Sequence, residues 1–99
     1  MAEAEQITVV LADDHNVIRA GLRNMLEADP RLRVIGEGAD AAAAAKLTAD
    51  RRPDVLVLDL QMPGAEPRRD IPRLRQDVPG TAIIVLTMQN DPRMARDLL

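Results

Sequence analysis

Four short apolar runs, rich in Val, Ile and Leu, alternate along the chain with segments whose apolar residues recur every three or four positions. The runs are bounded by turn-forming residues, which is typical of strands, and the periodicity between them is typical of amphipathic helices. The predicted strands cover residues 7–12, 32–38, 55–59 and 81–86. A repeated strand and helix order predicts an α/β fold, a doubly wound parallel sheet with helices on both faces.

Helices are expected between these strands and after the last of them. The side-chain oxygens of Asn16 and Asp40 are suited to cap the first and second helices. Pro72 is best tolerated in a first helical turn, so the third helix is predicted to be short. The predicted helices cover residues 17–28, 41–51, about 70–77 and a segment that opens at residue 91.

Acidic residues follow two of the predicted strands. Asp13 and Asp14 come directly after the first strand, and Asp59 ends the third. Right-handed crossovers in the strand order 2-1-3-4 place the first and third strands side by side, about 4.8 Å apart. Because ligands bind where such a strand order reverses, the three carboxylates are predicted to share a ligand-binding crevice.

A divalent cation would make this crevice stable. Three close carboxylates raise one another's pKa values unless a cation lies among them. Mg²⁺ suits the site, because it binds one or two carboxylates, keeps several waters and favours phosphate oxygens. Asp59, at the tip of a strand buried on both faces, is the candidate carboxylate for accepting a phosphoryl group.

Composition excludes several other classes of function. The 99 residues fit one domain and contain no cysteine, so disulfides and thiolate metal sites are excluded. A net charge of −3 is not the clustered basic surface that nucleic acid requires. No apolar run is long enough to cross a membrane. Residues 1–6 lack the basic start of a signal peptide, and we expect a disordered start and a cytoplasmic protein.

Three motifs in this order resemble the receiver domain of bacterial two-component response regulators. They are Asp13-Asp14-His15 after the first strand, Asp-Leu-Gln-Met-Pro-Gly at residues 59–64, and Thr87 after the fourth strand. The Asp-Asp-His motif and the Val-Ile-Gly-Glu second strand are most similar to the NarL/FixJ (LuxR-type) group. The resemblance covers residues 7–99 and implies a flavodoxin-like (CheY-like) sheet.

The resemblance implies a role for each motif. Asp59 would accept a phosphoryl group from a sensor histidine kinase. Mg²⁺ would be held by Asp13, Asp14, Asp59 and the backbone carbonyl of Gln61. Thr87 would be the switch hydroxyl that binds the phosphoryl group. The domain would be a signalling switch rather than an enzyme, passing its state to a DNA-binding transcriptional output domain.

The sequence also departs from the family pattern. Receivers have a fifth strand that ends in a lysine, a nearby aromatic switch residue and a fifth helix, whereas Lys46 is the only lysine here and aromatic residues are absent. We therefore expect a receiver domain over residues 1–99 that is incomplete at its carboxyl end, without the DNA-binding domain. An exposed fourth strand would favour self-association, as a dimer or by strand exchange.

Other interpretations stay open at this point. The chain could be a receiver-like dimerisation or interaction module that works without phosphorylation. A phosphatase of the haloacid-dehalogenase type is disfavoured, because it needs an acid at the position of Gln61. His15 is interpreted as an exposed residue at a helix start rather than a ligand. Arg19 and Arg23 are interpreted as a solvated helix face.

Overall fold

Four parallel strands form one sheet in the order β2-β1-β3-β4. The computed structural model describes residues 6–86. The elements are β1 (Ile7–Ala12), α1 (Asn16–Glu27), β2 (Leu32–Gly38), α2 (Ala41–Arg51), β3 (Val55–Asp59), α3 (Pro67–Asp77) and β4 (Ala82–Leu86). The predicted fold class and strand order are confirmed.

Both faces of the sheet are packed against helices. Successive side chains of a strand point to opposite sides, so the apolar strands supply residues to both faces. One face packs against α2 and α3 and buries ten residues, namely Val10, Ala12, Ala44, Leu56, Leu58, Leu60, Met62, Ile71, Leu74 and Val78. The other face packs against α1 and buries Val9, Leu11, Val34 and Val57, with Leu22 and Leu26 of the helix against them. The central strands β1 and β3 are therefore covered on both sides, as their apolar runs predict.

The third helix is longer than predicted. α3 begins at Pro67 rather than near residue 70, and Pro72 lies inside the helix. Proline fits the first helical position, where its missing N–H is not needed. The backbone N–H of Glu66 donates to Asp70 Oδ2 at 2.8 Å, which closes the start of the helix. The prediction considered only the positions of the prolines and did not include this contact of Asp70.

Two local predictions were wrong by one residue. Asn16 is the first residue of α1, and the N-cap position is His15. Thr81 precedes β4, since its N–H donates to the carbonyl of Val78 at 3.0 Å in a turn, while its hydroxyl donates to the carbonyl of Pro53 at 2.7 Å. The predicted cap of α2 is confirmed, because Asp40 Oδ1 accepts the N–H of Ala43 at 2.8 Å.

Several predictions fall on the ends of the chain. Gln6, in the segment expected to be disordered, donates its side-chain amide to the carbonyl of Pro30 at 3.2 Å. Residues 1–5, Thr87 and the predicted fourth helix lie outside the described residues. β4 is an edge strand of the sheet that residues 6–86 form, and self-association through it stays a prediction. None of the helices in this part of the chain has the length and hydropathy needed to cross a membrane.

Candidate metal centre

Three carboxylates, those of Asp13, Asp14 and Asp59, lie together at the carboxyl edge of the sheet, and we call them the acid cluster. β1 and β3 are paired neighbours, so the residues that end or follow them emerge side by side. Asp13 and Asp59 are only 4% and 1% exposed. One oxygen from each carboxylate and a ring nitrogen of His15 all lie within 4.8 Å of one another. This group of four residues could hold a metal ion.

Hydrogen bonds satisfy only part of the acid cluster. Asp13 Oδ1 accepts the backbone N–H of His15 at 2.7 Å, and Asp59 Oδ1 accepts that of Gln61 at 3.0 Å. Asp14 Oδ1 and Asp59 Oδ2 are buried without a hydrogen-bond partner among residues 6–86. A buried carboxylate oxygen without a partner is costly, so these two oxygens are where a cation would stabilise the protein most.

The pKa of Asp59 is raised above the usual value of an aspartate. Burial is the largest cause, and it outweighs the backbone N–H of Gln61, which lowers the pKa. The charges of Asp13 and Asp14 raise the pKa further, while His15 lowers it. A divalent cation in the cluster would lower it as well, because a nearby positive charge favours the ionised carboxylate.

The ring of His15 lies beside the three carboxylates, a position that the sequence interpretation did not include. The residue is at the start of α1 and its side chain is 49% exposed, as expected. Its Nδ1 nevertheless lies 3.1 Å from Asp13 Oδ1, 3.0 Å from Asp14 Oδ1 and 3.8 Å from Asp59 Oδ2. The available signal was its position directly after two acids at a strand end.

An ion-pair network supports the turn between β1 and α1. The guanidinium of Arg19 donates to the backbone carbonyl of Asp13 and, at 2.9 Å, to Glu37 Oε1 on β2. Arg23 contacts the other carboxylate oxygen of Glu37. The Arg19 side chain is only 17% exposed, so the interpretation of this residue as solvated was wrong. The network holds α1 against β2 and helps to position Asp13.

The loop after β3 carries Gln61, the remaining predicted ligand. Its N–H is engaged by Asp59, and ligation by its carbonyl stays a prediction. Met62 is buried beneath the loop, and Gly64 has a φ of 77°, which favours glycine. The carbonyl of Pro63 accepts the N–H of Ala41 at 3.2 Å, which anchors the loop to the start of α2.

The structure thus brings Asp13, Asp14 and Asp59 together and places Gln61 beside them. Thr87, the predicted switch hydroxyl, lies beyond residue 86 and outside the description. A doubly wound sheet with a carboxylate-lined crevice at the switch point of its strand order defines a class of α/β ligand-binding domains.

Comparison with known proteins narrows this class. Residues 9–99 match the response regulator receiver domain family, and the chain belongs to that family. The transcriptional regulatory protein LiaR of Bacillus subtilis is 38% identical over 81 residues, which are 82% of this chain and 38% of LiaR. The nitrate/nitrite response regulator protein NarP of Escherichia coli is 38% identical over 90 residues, 91% of this chain and 42% of NarP.

Solved structures agree with this assignment. The receiver domain of the response regulator NarL from Mycobacterium tuberculosis has a TM-score of 0.88 at 30% identity, with 95% of this chain and 76% of that chain covered. The isolated receiver domain of RcsB from Salmonella enterica, solved with phosphomimetic BeF3−, has a TM-score of 0.82 at 34% identity, covering 94% and 72%. These relatives are response regulators of the NarL/LuxR type, signalling proteins rather than classical enzymes. The chain spans about two fifths of the length of the curated relatives.

Proposed function

We propose that this chain is a phosphorylation-switched signalling domain in which Asp59 accepts a phosphoryl group in the presence of Mg²⁺. The observation that carries the proposal is the state of the Asp59 carboxylate. Its Oδ1 is held by the N–H of Gln61, whereas Oδ2 is buried in the acid cluster with no hydrogen-bond partner among residues 6–86. One oxygen is therefore fixed and the other is left to react.

The transfer is a displacement at phosphorus. A bond forms between Asp59 Oδ2 and phosphorus while the bond from phosphorus to the donor breaks, and the donor atom leaves with the electron pair of that bond. Asp59 must be ionised to attack. Burial raises the pKa of Asp59, and a nearby positive charge would favour its ionised form among two other acids.

Asp13, Asp14, Asp59 and the backbone carbonyl of Gln61 are the groups that would hold Mg²⁺. The all-oxygen donor set fits this hard ion, and Asp14 Oδ1 is buried without a hydrogen-bond partner among residues 6–86. When bound, Mg²⁺ neutralises negative charge on the carboxylates and on the incoming phosphoryl oxygens. The chain's own contribution is to hold the carboxylates in place through the network around Arg19 and through the Gln61 N–H.

The partners follow from the family. We infer a sensor histidine kinase as phosphoryl donor and a DNA-binding output domain as receiver of the signal. Two relatives support this: NarP is named as a nitrate/nitrite response regulator, and RcsB has been solved bound to a promoter in the presence of BeF3−. Thr87 is proposed as the hydroxyl that binds the phosphoryl group and reports it to the rest of the molecule.

Incubation of the chain with acetyl phosphate and Mg²⁺, followed by intact mass spectrometry, tests the proposal. One added phosphoryl group is expected. No addition is expected when a chelator removes Mg²⁺ before the reaction. The variant Asp59→Asn removes the reactive oxygen while preserving shape, so it should show no addition. Asp54→Asn, directly before the opposite end of β3, is the matched control and should be phosphorylated as the parent chain is.

Persistent phosphorylation of Asp59→Asn would assign the acceptor role to another residue. A chain that takes up no phosphoryl group although Mg²⁺ binds would favour the alternative, an interaction module that works without phosphorylation. Analytical ultracentrifugation of the same sample then shows whether the chain is a stable dimer, as the dimerisation form of that alternative predicts.

A further inference from the structure

We propose that His15 is a further metal ligand of this centre beside the three carboxylates, so that the acid cluster binds a first-row transition ion such as Zn²⁺ more tightly than Mg²⁺. The inference shares its carboxylates with the proposed function and concerns which ion they select. It rests on the position of an imidazole nitrogen among three carboxylate oxygens, not on the acid cluster alone.

The distances around His15 match those of ligands that share one ion. Ligand atoms bound about 2.1 Å from a tetrahedral Zn²⁺ are about 3.4 Å apart. His15 Nδ1 lies 3.1, 3.0 and 3.8 Å from oxygens of Asp13, Asp14 and Asp59, respectively. The ring nitrogen is therefore already at ligand spacing from every carboxylate of the cluster.

Hydrogen bonding by the imidazole does not explain this arrangement. Nδ1 carries at most one proton, and its hydrogen-bond geometry is met only toward Asp13 Oδ1. Asp14 Oδ1 is equally near but has no hydrogen-bond partner among residues 6–86, and neither has Asp59 Oδ2, whose side chain is only 2% exposed. A single cation among these atoms would satisfy all of them, whereas one proton cannot.

The backbone fixes His15 independently of its ring. The residue is the N-cap of α1 in an extended conformation, and its N–H donates to Asp13 Oδ1 at 2.7 Å. Since the side chain is about half exposed, its removal leaves the apolar core intact. Substitutions of the ring should therefore change the donor set without unfolding the domain.

The chemistry of the donors decides which ion is favoured. Mg²⁺ requires oxygen ligands and near-octahedral geometry, and it gains little from imidazole. Imidazole suits Zn²⁺, Cu²⁺, Ni²⁺ and Fe²⁺, and these ions also bind carboxylates. A site with three carboxylates and one imidazole therefore favours transition ions, which would compete with Mg²⁺ for the same oxygens.

Calorimetric titration of the chain with Zn²⁺ and, separately, with Mg²⁺ tests the proposal. His15→Ala should weaken Zn²⁺ binding by about tenfold or more and leave Mg²⁺ binding within about twofold, because only the nitrogen ligand is lost. Co²⁺ gives a second readout, since its visible absorption bands should shift when a nitrogen ligand is removed. His15→Asn, with a smaller side chain of similar polarity, should behave like the alanine variant.

Val17→Ala is the matched control, because Val17 lies in the same first turn of α1 and is 85% exposed. It should bind both ions as the parent chain does. Unchanged Zn²⁺ affinity and unchanged Co²⁺ bands in His15→Ala would overturn the proposal. An equal loss of Zn²⁺ and Mg²⁺ binding would also overturn it, because His15 would then act by positioning the carboxylates.

The two proposals fail separately. Phosphorylation of Asp59 is measured in Mg²⁺ alone, so its absence beside intact, His15-dependent Zn²⁺ binding would overturn only the proposed function. Normal phosphorylation with no contribution of His15 to Zn²⁺ affinity would overturn only the inference drawn here.

Discussion

One aspartate directly precedes strand β3 and another ends it, and their carboxylates differ in burial and hydrogen bonding. At the amino end, Asp54 Oδ2 accepts both the N–H and the hydroxyl of Thr8, at 2.8 and 3.0 Å. The hydroxyl of Thr8 in turn accepts the N–H of Asp54 at 2.9 Å. At the carboxyl end, Asp59 is buried, and residues 6–86 provide a hydrogen bond to only one of its oxygens.

The pKa values of these two residues shift in opposite directions. The hydrogen bonds from the backbone and side chain of Thr8 lower the pKa of Asp54, whereas burial raises that of Asp59. A lowered carboxyl pKa means that the ionised form favours folding, and a raised one means that it opposes folding. Asp54 therefore stabilises the β1 and β3 pair, while Asp59 costs stability in the absence of a cation.

Metal binding should produce the largest difference between the two ends. Mg²⁺ at about 100 times its Kd is expected to raise the free energy of unfolding by about 2.7 kcal/mol, since it binds only the folded state. Asp59→Asn should abolish most of this gain, whereas Asp54→Asn should keep it. Urea unfolding with and without Mg²⁺ measures both. An equal gain in the two variants would place the ion away from Asp59.

Without metal, the same two substitutions should change stability in opposite directions. Asp59→Asn removes a buried charge beside two other acids, and we expect the free energy of unfolding to rise by about 1–2 kcal/mol. Asp54→Asn replaces an acceptor bonded twice by Thr8, and the midpoint of thermal unfolding should fall by a few degrees. Both effects are measured in the presence of a chelator.

A control substitution on the surface is needed to interpret the direction of these stability changes. Asp50, an exposed residue of α2, can be changed to Asn to show the effect of removing one acidic charge from the surface. A destabilised Asp59→Asn variant would contradict the view that this carboxylate is held at a cost. An Asp54→Asn variant with unchanged thermal stability would contradict the structural role of the contact with Thr8.

The smallest expected effect is the pH dependence. The contribution of Asp54 is present above the pKa of an unfolded aspartate, about 3.8, and is lost as the pH falls through its lower folded pKa. The cost at Asp59 is relieved as the pH falls from neutral through its raised folded pKa. On acidification, the stability of the parent chain should thus fall relative to Asp54→Asn and rise relative to Asp59→Asn.

Stability curves of the three chains from neutral pH to about pH 3, without metal, measure this difference. Arg31 lowers the pKa of Asp29 to about 2, so Asp29 adds acid sensitivity of the same sign as Asp54. That contribution is common to all three chains and cancels in the comparison. If acidification changed the stability of the parent chain in the same direction relative to both variants, the predicted difference between Asp54 and Asp59 would be contradicted.

Local patterns predicted most of the fold. β1, β2, β3 and α2 have their predicted bounds, because short apolar runs and the Asp40 cap depend on residues near in sequence. The predicted start of α3 was wrong. The carboxylate of Asp70 accepts the N–H of Glu66 at the start of the helix, and the prediction considered only the prolines. The contacts of Arg19 and His15 were not predicted, because both depend on how the turn after β1 faces other elements.

The sequence by itself determined that acids stand at the ends of two apolar strands, and that the order of strands makes these ends neighbours. Only the tertiary structure decided which carboxylate oxygens are satisfied, and that the ring of His15 joins them. The physical reason is the separation in sequence of the residues that interact. Strand formation follows from neighbouring residues, whereas burial, hydrogen bonding and pKa depend on atoms that folding brings within a few ångströms.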